Sequence, residues 1–178
     1  MKGKILIATP FLGDKNFERS VILICEHSNQ GAFGLIMNQL TNLRLDDVVE
    51  NIYGDFDLQL GGPVEQNSLH YIHTLGEEIE GSIKVADGVY WSGNFEQIKT
   101  FANIGKLKEK DIKFFIGYAG WGENQLEKEL KQDSWIISHL PAHLLFEIPA
   151  KEAWREFLRR MGGEFKALSN YPTDPRLN

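Results

Sequence analysis

The sequence predicts an α+β fold with a largely antiparallel sheet in one domain. Three observations carry this. Strand-like runs come in adjacent pairs instead of alternating with helices. The 178 residues suit one domain with a substantial core. Gly is abundant at 17 residues and Pro scarce at 6, which points to tight turns rather than disorder. The number of short strands also allows a partly closed barrel.

Lys4 to Thr9 form a first strand, rich in Ile and Leu, and Pro10 to Ser20 form a loop. Val21 to His27 and Ala32 to Asn38 are apolar β-type runs around the turn signature Ser28-Asn29-Gln30-Gly31, and read as a hairpin. Leu45, Val48, Val49 and Ile52 fall at helical spacing, with Asp46 and Asp47 at the positive end, and predict a helix over 45–52. Leu58 to Leu60 is a short strand ending at Gly61-Gly62-Pro63, and Ser68 to Thr74 is another. Gly81 to Val85 and Val89 to Trp91 flank Asp87-Gly88 as a second hairpin. Asn94 to Asn103 is a helix with Phe95, Ile98 and Phe101 on one side. Ile112 to Tyr118 is the strongest buried strand, and a Gly-rich turn follows it. Asn124 to Lys131 is a helix and Ser134 to Ser138 a strand. Lys151 to Met161 is the clearest helix, with a stripe of Trp154, Phe157, Leu158 and Met161, stopped by Gly162-Gly163. The tail from Ser169 has two prolines and no periodicity.

The net charge of −6 argues against a phosphate-tracking DNA binder. The one basic helix, with Lys151, Arg155, Arg159 and Arg160, interleaves Glu152 and Glu156 at pairing distances, so intrahelical ion pairs are expected there. No second helix at helix-turn-helix spacing is predicted, because a Pro-rich tail follows Gly162-Gly163. Direct nucleic-acid binding is therefore not expected. The single Cys25 permits no internal disulfide and fits a reducing compartment. No apolar stretch approaches a membrane span and no signal pattern opens the chain. The cytoplasm is the expected location, with no membrane association.

Cys25 and His27 lie two apart in a strand and are expected on one face, where a thiol beside an imidazole can become a nucleophile. The apolar run before Cys25 favours a core thiol instead. His70 and His73, three apart, face opposite ways on a strand, and Pro141 interrupts His139 and His143. No zinc spacing exists, so neither metal nor cofactor is predicted. Gly117-Tyr118-Ala119-Gly120-Trp121-Gly122 ahead of a helix admits anion binding at the helix start. Its glycine order is wrong for a dinucleotide fingerprint, and Glu123 sits where a phosphate would. A tight turn with Trp121 packed over it is the simpler reading.

Several blocks together resemble the YqgE/AlgH family. The first is Pro10-x-Leu12-x-Asp14-x-x-Phe17-x-x-Ser20-Val21, then His27, then Gly31-Ala32-x-Gly34-Leu35-x-x-Asn38. Gly61-Gly62-Pro63-Val64 follows, and Gly117-Tyr118-Ala119-Gly120-Trp121 with Gln125-Leu126-Glu127 and Trp135 is similar to the family's second signature. The ending Asp174-Pro175-Arg176-Leu177-Asn178 also fits. Asn124 stands where the family often has Gly, and Gln39-Leu40 where it often has a basic residue and Pro, which removes a cation from that corner. The resemblance implies an antiparallel, barrel-like sheet flanked by helices. The resemblance implies a label often given to family members, transcriptional regulator, and no catalytic set carries over.

The favoured reading is a small-ligand- or partner-binding domain without catalysis, its site where the motif loops converge. The candidates are Phe17, Ser20, His27, Asn38, Gly62, Pro63, Gly120, Trp121 and Gln125. A hydrolase or transferase using Cys25 or Ser20 with His27 is the second reading. A direct DNA-binding regulator is the third.

Overall fold

A computed structural model describes residues 1–172. The motif-like ending 174–178 lies outside the described residues. Strands β1 (Ile5–Ala8), β2 (Val21–Ser28) and β3 (Gly31–Ile36) open the chain, followed by β4 (Leu40–Arg44) and β5 (Asp57–Leu60). Next come β6 (Val64–His73), β7 (Ile83–Ala86), β8 (Val89–Trp91) and helix α1 (Phe95–Asn103). Then follow β9 (Ile112–Trp121), α2 (Gln125–Lys131), β10 (Trp135–Ser138), α3 (Leu144–Glu147), α4 (Ala153–Met161) and α5 (Gly163–Leu168). All strands join one sheet in the order β10-β1-β2-β3-β9-β6-β8-β7, with β5 between β4 and β9. Every pair is antiparallel except β5–β9.

This is the expected α+β architecture, but the barrel does not close: β10 and β7 end the sheet without pairing to each other. The sheet instead curls until Val85 and Val89 share one core with Ile5 and Leu23. Helices α3 and α4 cover this core with Leu144, Leu145, Trp154, Phe157 and Leu158. A second core lies on the reverse face, where α1 packs Ile98 and Ala102 on Phe114. A third lies outside β1–β3, where Leu126 of α2 meets Ile22, Ile24 and Trp121.

Both expected hairpins form, β2–β3 and β7–β8, and Asn94 caps α1 by accepting from Gln97 N. The helix expected over 45–52 is only a 3-10 turn at Leu45–Asp47. Asn51 holds a φ of 58°, which a helix interior does not contain, and Val48 is exposed. The Gly-rich segment is not the turn after β9 but its last five residues, and the chain turns only at 122–124. Gly162-Gly163 ends α4 as expected, yet α5 follows before the tail. No helix among the described residues is long and apolar enough to cross a membrane.

Candidate functional site

The N-terminal motif is organised by a β-bulge. Ile24 pairs with Gly34 and Glu26 with Phe33, so Cys25 is the extra residue. The bulge reverses the alternation of β2. Leu23 and Cys25 face the main core, whereas His27, opposite Ala32, turns to the outer face. There its Nε2 lies 2.8 Å from Glu127 Oε1 of α2, and this hydrogen bond holds the Glu127 carboxyl below its ordinary range. The expectation that Cys25 and His27 share a face is overturned. The Cys25 thiol is fully buried, and burial pushes its pKa far up, the opposite of nucleophile activation.

Ser20 does not pair with His27 either. Seven residues of strand separate them by about 20 Å. Ser20 is buried, and its hydroxyl finds no partner among the described residues. Asn38 is a bracket at the same end: its Oδ1 accepts from Val21 N at 2.8 Å and its Nδ2 donates to Arg19 O at 2.9 Å.

The second motif locks α2 to the sheet. Phe17 stacks on Trp121 at 6.5 Å and meets Trp135 edge-on at 5.8 Å. The indole N–H groups of Trp121 and Trp135 both donate to Glu129 Oε2, at 2.8 and 2.7 Å. Gln125 accepts from Gly122 N and donates to Glu129 Oε1. These hydrogen bonds and the left-handed Asn124 account for the turn, and Gln125 spends both amide atoms on it. Gly62 is buried where a side chain would strike the Tyr118 backbone, so it permits the close crossing of β9. Pro63 beside it is exposed.

Three of the nine candidates converge. His27, Gly120 and Trp121 line an open depression of about 750 Å³ at the hairpin end of the sheet, with Lys2, Glu26, Phe33 and Tyr118 among its other walls. Gly120 sits opposite Phe33, and the missing side chain leaves room for the Tyr118 ring. Phe33 meets Tyr118 at 4.9 Å, Trp91 at 5.0 Å and His70 at 5.2 Å between centroids. These four rings come from β3, β9, β8 and β6 and are half-buried. Sequence reasoning missed Phe33, His70 and Trp91 as a group because only the strand register brings them together. Phe33 stood as an unassigned position inside the first motif.

The histidines do separate: His70 joins this aromatic face, whereas His73 is buried on the other side and bonds to Ser92 O at 2.9 Å. No group of three or more potential metal ligands occurs among the described residues. On α4, Glu156 binds both Arg159 and Arg160, at 2.8 and 2.7 Å, as the charge pattern predicts. Lys151 and Arg155 instead face Arg19 across a separate hollow.

The comparisons agree with this architecture. A UPF0301 protein of Cytophaga hutchinsonii is 47% identical over 179 residues, covering 99% of this chain and 98% of that protein. One of Chlorobium limicola is 36% identical, covering 99% and 95%. The solution structure of AlgH from Pseudomonas aeruginosa matches with a TM-score of 0.75 at 28% identity, over 97% of this chain and 95% of that one. The crystal structure of DIP2367 from Corynebacterium diphtheriae shares the fold with a TM-score of 0.78 at 24% identity, over 95% and 91%. The AlgH-like family model, DUF179, matches residues 5–166, and the chain belongs to that family.

Proposed function

We propose that this chain is a small-ligand-binding domain without catalysis of its own, with its site in the depression beside the β2–β3 turn. The observation that carries the reading is one open hollow lined by the half-exposed Phe33 and Tyr118 rings and by the polar residues Lys2, Glu26 and His27. Aromatic walls with a few polar groups suit a flat, ring-bearing molecule with a polar edge. Any regulatory role is read as running through that ligand or a protein partner, because the chain carries a net charge of −6 and two of the four basic side chains along 151–160, Arg159 and Arg160, are engaged by Glu156. The buried, unpaired Cys25 accords with a cytoplasmic setting.

A nuclear magnetic resonance screen of aromatic heterocycle fragments tests this. Shifts are expected to cluster at Gly31, Phe33, Gly120 and the Trp121 indole, and to vanish in Tyr118→Ala. Ile137→Ala, on the exposed β10 edge, should leave them unchanged. Shifts that scatter, or that persist in Tyr118→Ala, rule the site out.

A further inference from the structure

A separate hollow lies at the opposite end of β2. Its centre is Arg19, which holds a left-handed φ of 53° although it is not glycine. Such backbone is strained for a residue with a side chain and persists only where neighbours impose it. Here the Asn38 bracket does so, accepting from the Val21 N–H and donating to the Arg19 carbonyl on either side of Ser20. The guanidinium is fixed as well: it lies 4.5 Å over the Trp154 ring and donates from Nη2 to Tyr171 O at 2.6 Å. Trp154 is itself buried and anchored by its indole N–H to Ala8 O.

Lys151, in the 3-10 turn Ala150–Glu152 that leads into α4, and Arg155, in the first turn of α4, wall the same hollow of about 230 Å³ with Arg19, Asn38 and Trp154. None of the three cations forms an ion pair among the described residues, while Glu156 is spent on Arg159 and Arg160. Burial, and then the facing Arg155, push the Arg19 guanidinium below its ordinary pKa, while Glu18 opposes them. Three converging cations in a chain of net charge −6 repel one another unless an anion joins them.

We infer that the hollow between Arg19, Lys151 and Arg155 binds a phosphate dianion, free or as the terminal group of a small phosphomonoester. Arg19 offers its remaining guanidinium N–H donors, Arg155 a second fork, and Lys151 a point charge. Asn38 has both amide atoms engaged and is a positioning residue for Arg19.

The test is titration of the full chain with inorganic phosphate and, separately, with glycerol 3-phosphate, at constant ionic strength. Binding is followed by nuclear magnetic resonance at the arginine Nε–H and Trp154 indole signals. Saturable shifts are expected at Arg19, Arg155 and Trp154. Arg155→Gln, at an exposed position that folding does not need, should weaken binding about tenfold, the loss of one charge-assisted hydrogen bond. Arg159→Gln removes the same charge from the same helix and should change affinity less than about twofold. Preference for the ester over inorganic phosphate identifies a phosphorylated metabolite as the ligand, and equal affinity identifies phosphate itself. Absence of saturation with both probes, or equal losses in Arg155→Gln and Arg159→Gln, overturns the site.

Discussion

His70 and His73 sit three residues apart on β6 and meet opposite environments. The His73 ring is buried, with Nε2–H directed at Ser92 O and Nδ1 without a partner among the described residues. A proton added at Nδ1 would be buried with no acceptor. Burial accordingly lowers the His73 pKa, and the Ser92 carbonyl only partly offsets this. Burial lowers that of His70 too. Unfolded, both return to about 6.5. The unfolded chain therefore takes up these protons first as pH falls. Stability is full above about pH 6.5 and declines as pH drops toward the folded values. Paired carboxylates such as Glu127 and Glu156 have lowered pKa values and act only at more acidic pH. Urea unfolding at about pH 7.5 and about pH 5.5 should show a lower midpoint at the acid value. His73→Gln keeps a donor for Ser92 without titrating, and should shrink that difference. An equal acid loss in the variant would place its origin elsewhere.

Helix α2 has only seven residues, too few to persist alone, so its tertiary ties decide its position. One carboxylate supplies most of them. Glu129 accepts from the indoles of Trp121 on β9 and Trp135 on β10, and from Gln125 within α2. Hydrogen bonds to a charged group contribute more than neutral ones, and two indole donors would be left partly buried without it. Glu129→Ala is expected to cost about 3 kcal/mol in urea unfolding, with a change in Trp emission. A loss below about 1 kcal/mol would show that apolar packing of Leu126 and the His27–Glu127 hydrogen bond seat the helix without Glu129. Elements with strong local signals were legible in the sequence: the hairpins around Asn29-Gln30 and Asp87-Gly88, the capped α1, and the apolar stripe of α4. Strand β4 was not, because Leu40 and Leu43 are exposed and show no buried alternation. The end of β9 was misread because its glycines serve close crossings by Gly62 and space under Tyr118, not chain reversal. Helices α3 and α5 span only four and six residues, less than two turns of pattern.

The bulge at Cys25 decides how the whole molecule divides its chemistry. It sends Cys25 into the core enclosed by the curled sheet and α4, and His27 outward to the depression. Two-residue periodicity cannot reveal a bulge, so the candidate residues were legible as motif positions while their faces were not. Asn38 and Gly62 hold backbone in place, Ser20 is buried with its hydroxyl unpartnered among the described residues, and Phe17 and Gln125 brace Trp121. The enclosed core makes Cys25 an internal reporter of global opening. Its thiol has no exposure, burial raises its pKa, and alkylation requires a solvated thiolate. Local fraying cannot meet that requirement, because β2 is flanked by β1 and β3 and covered by apolar side chains on both faces. The rate of modification by iodoacetamide at neutral pH should therefore equal the intrinsic thiol rate scaled by the unfolded fraction. It should rise with urea along the same slope as equilibrium unfolding. A rate independent of low urea would instead reveal a local opening of β2, and the curled sheet would then not move as one cooperative unit.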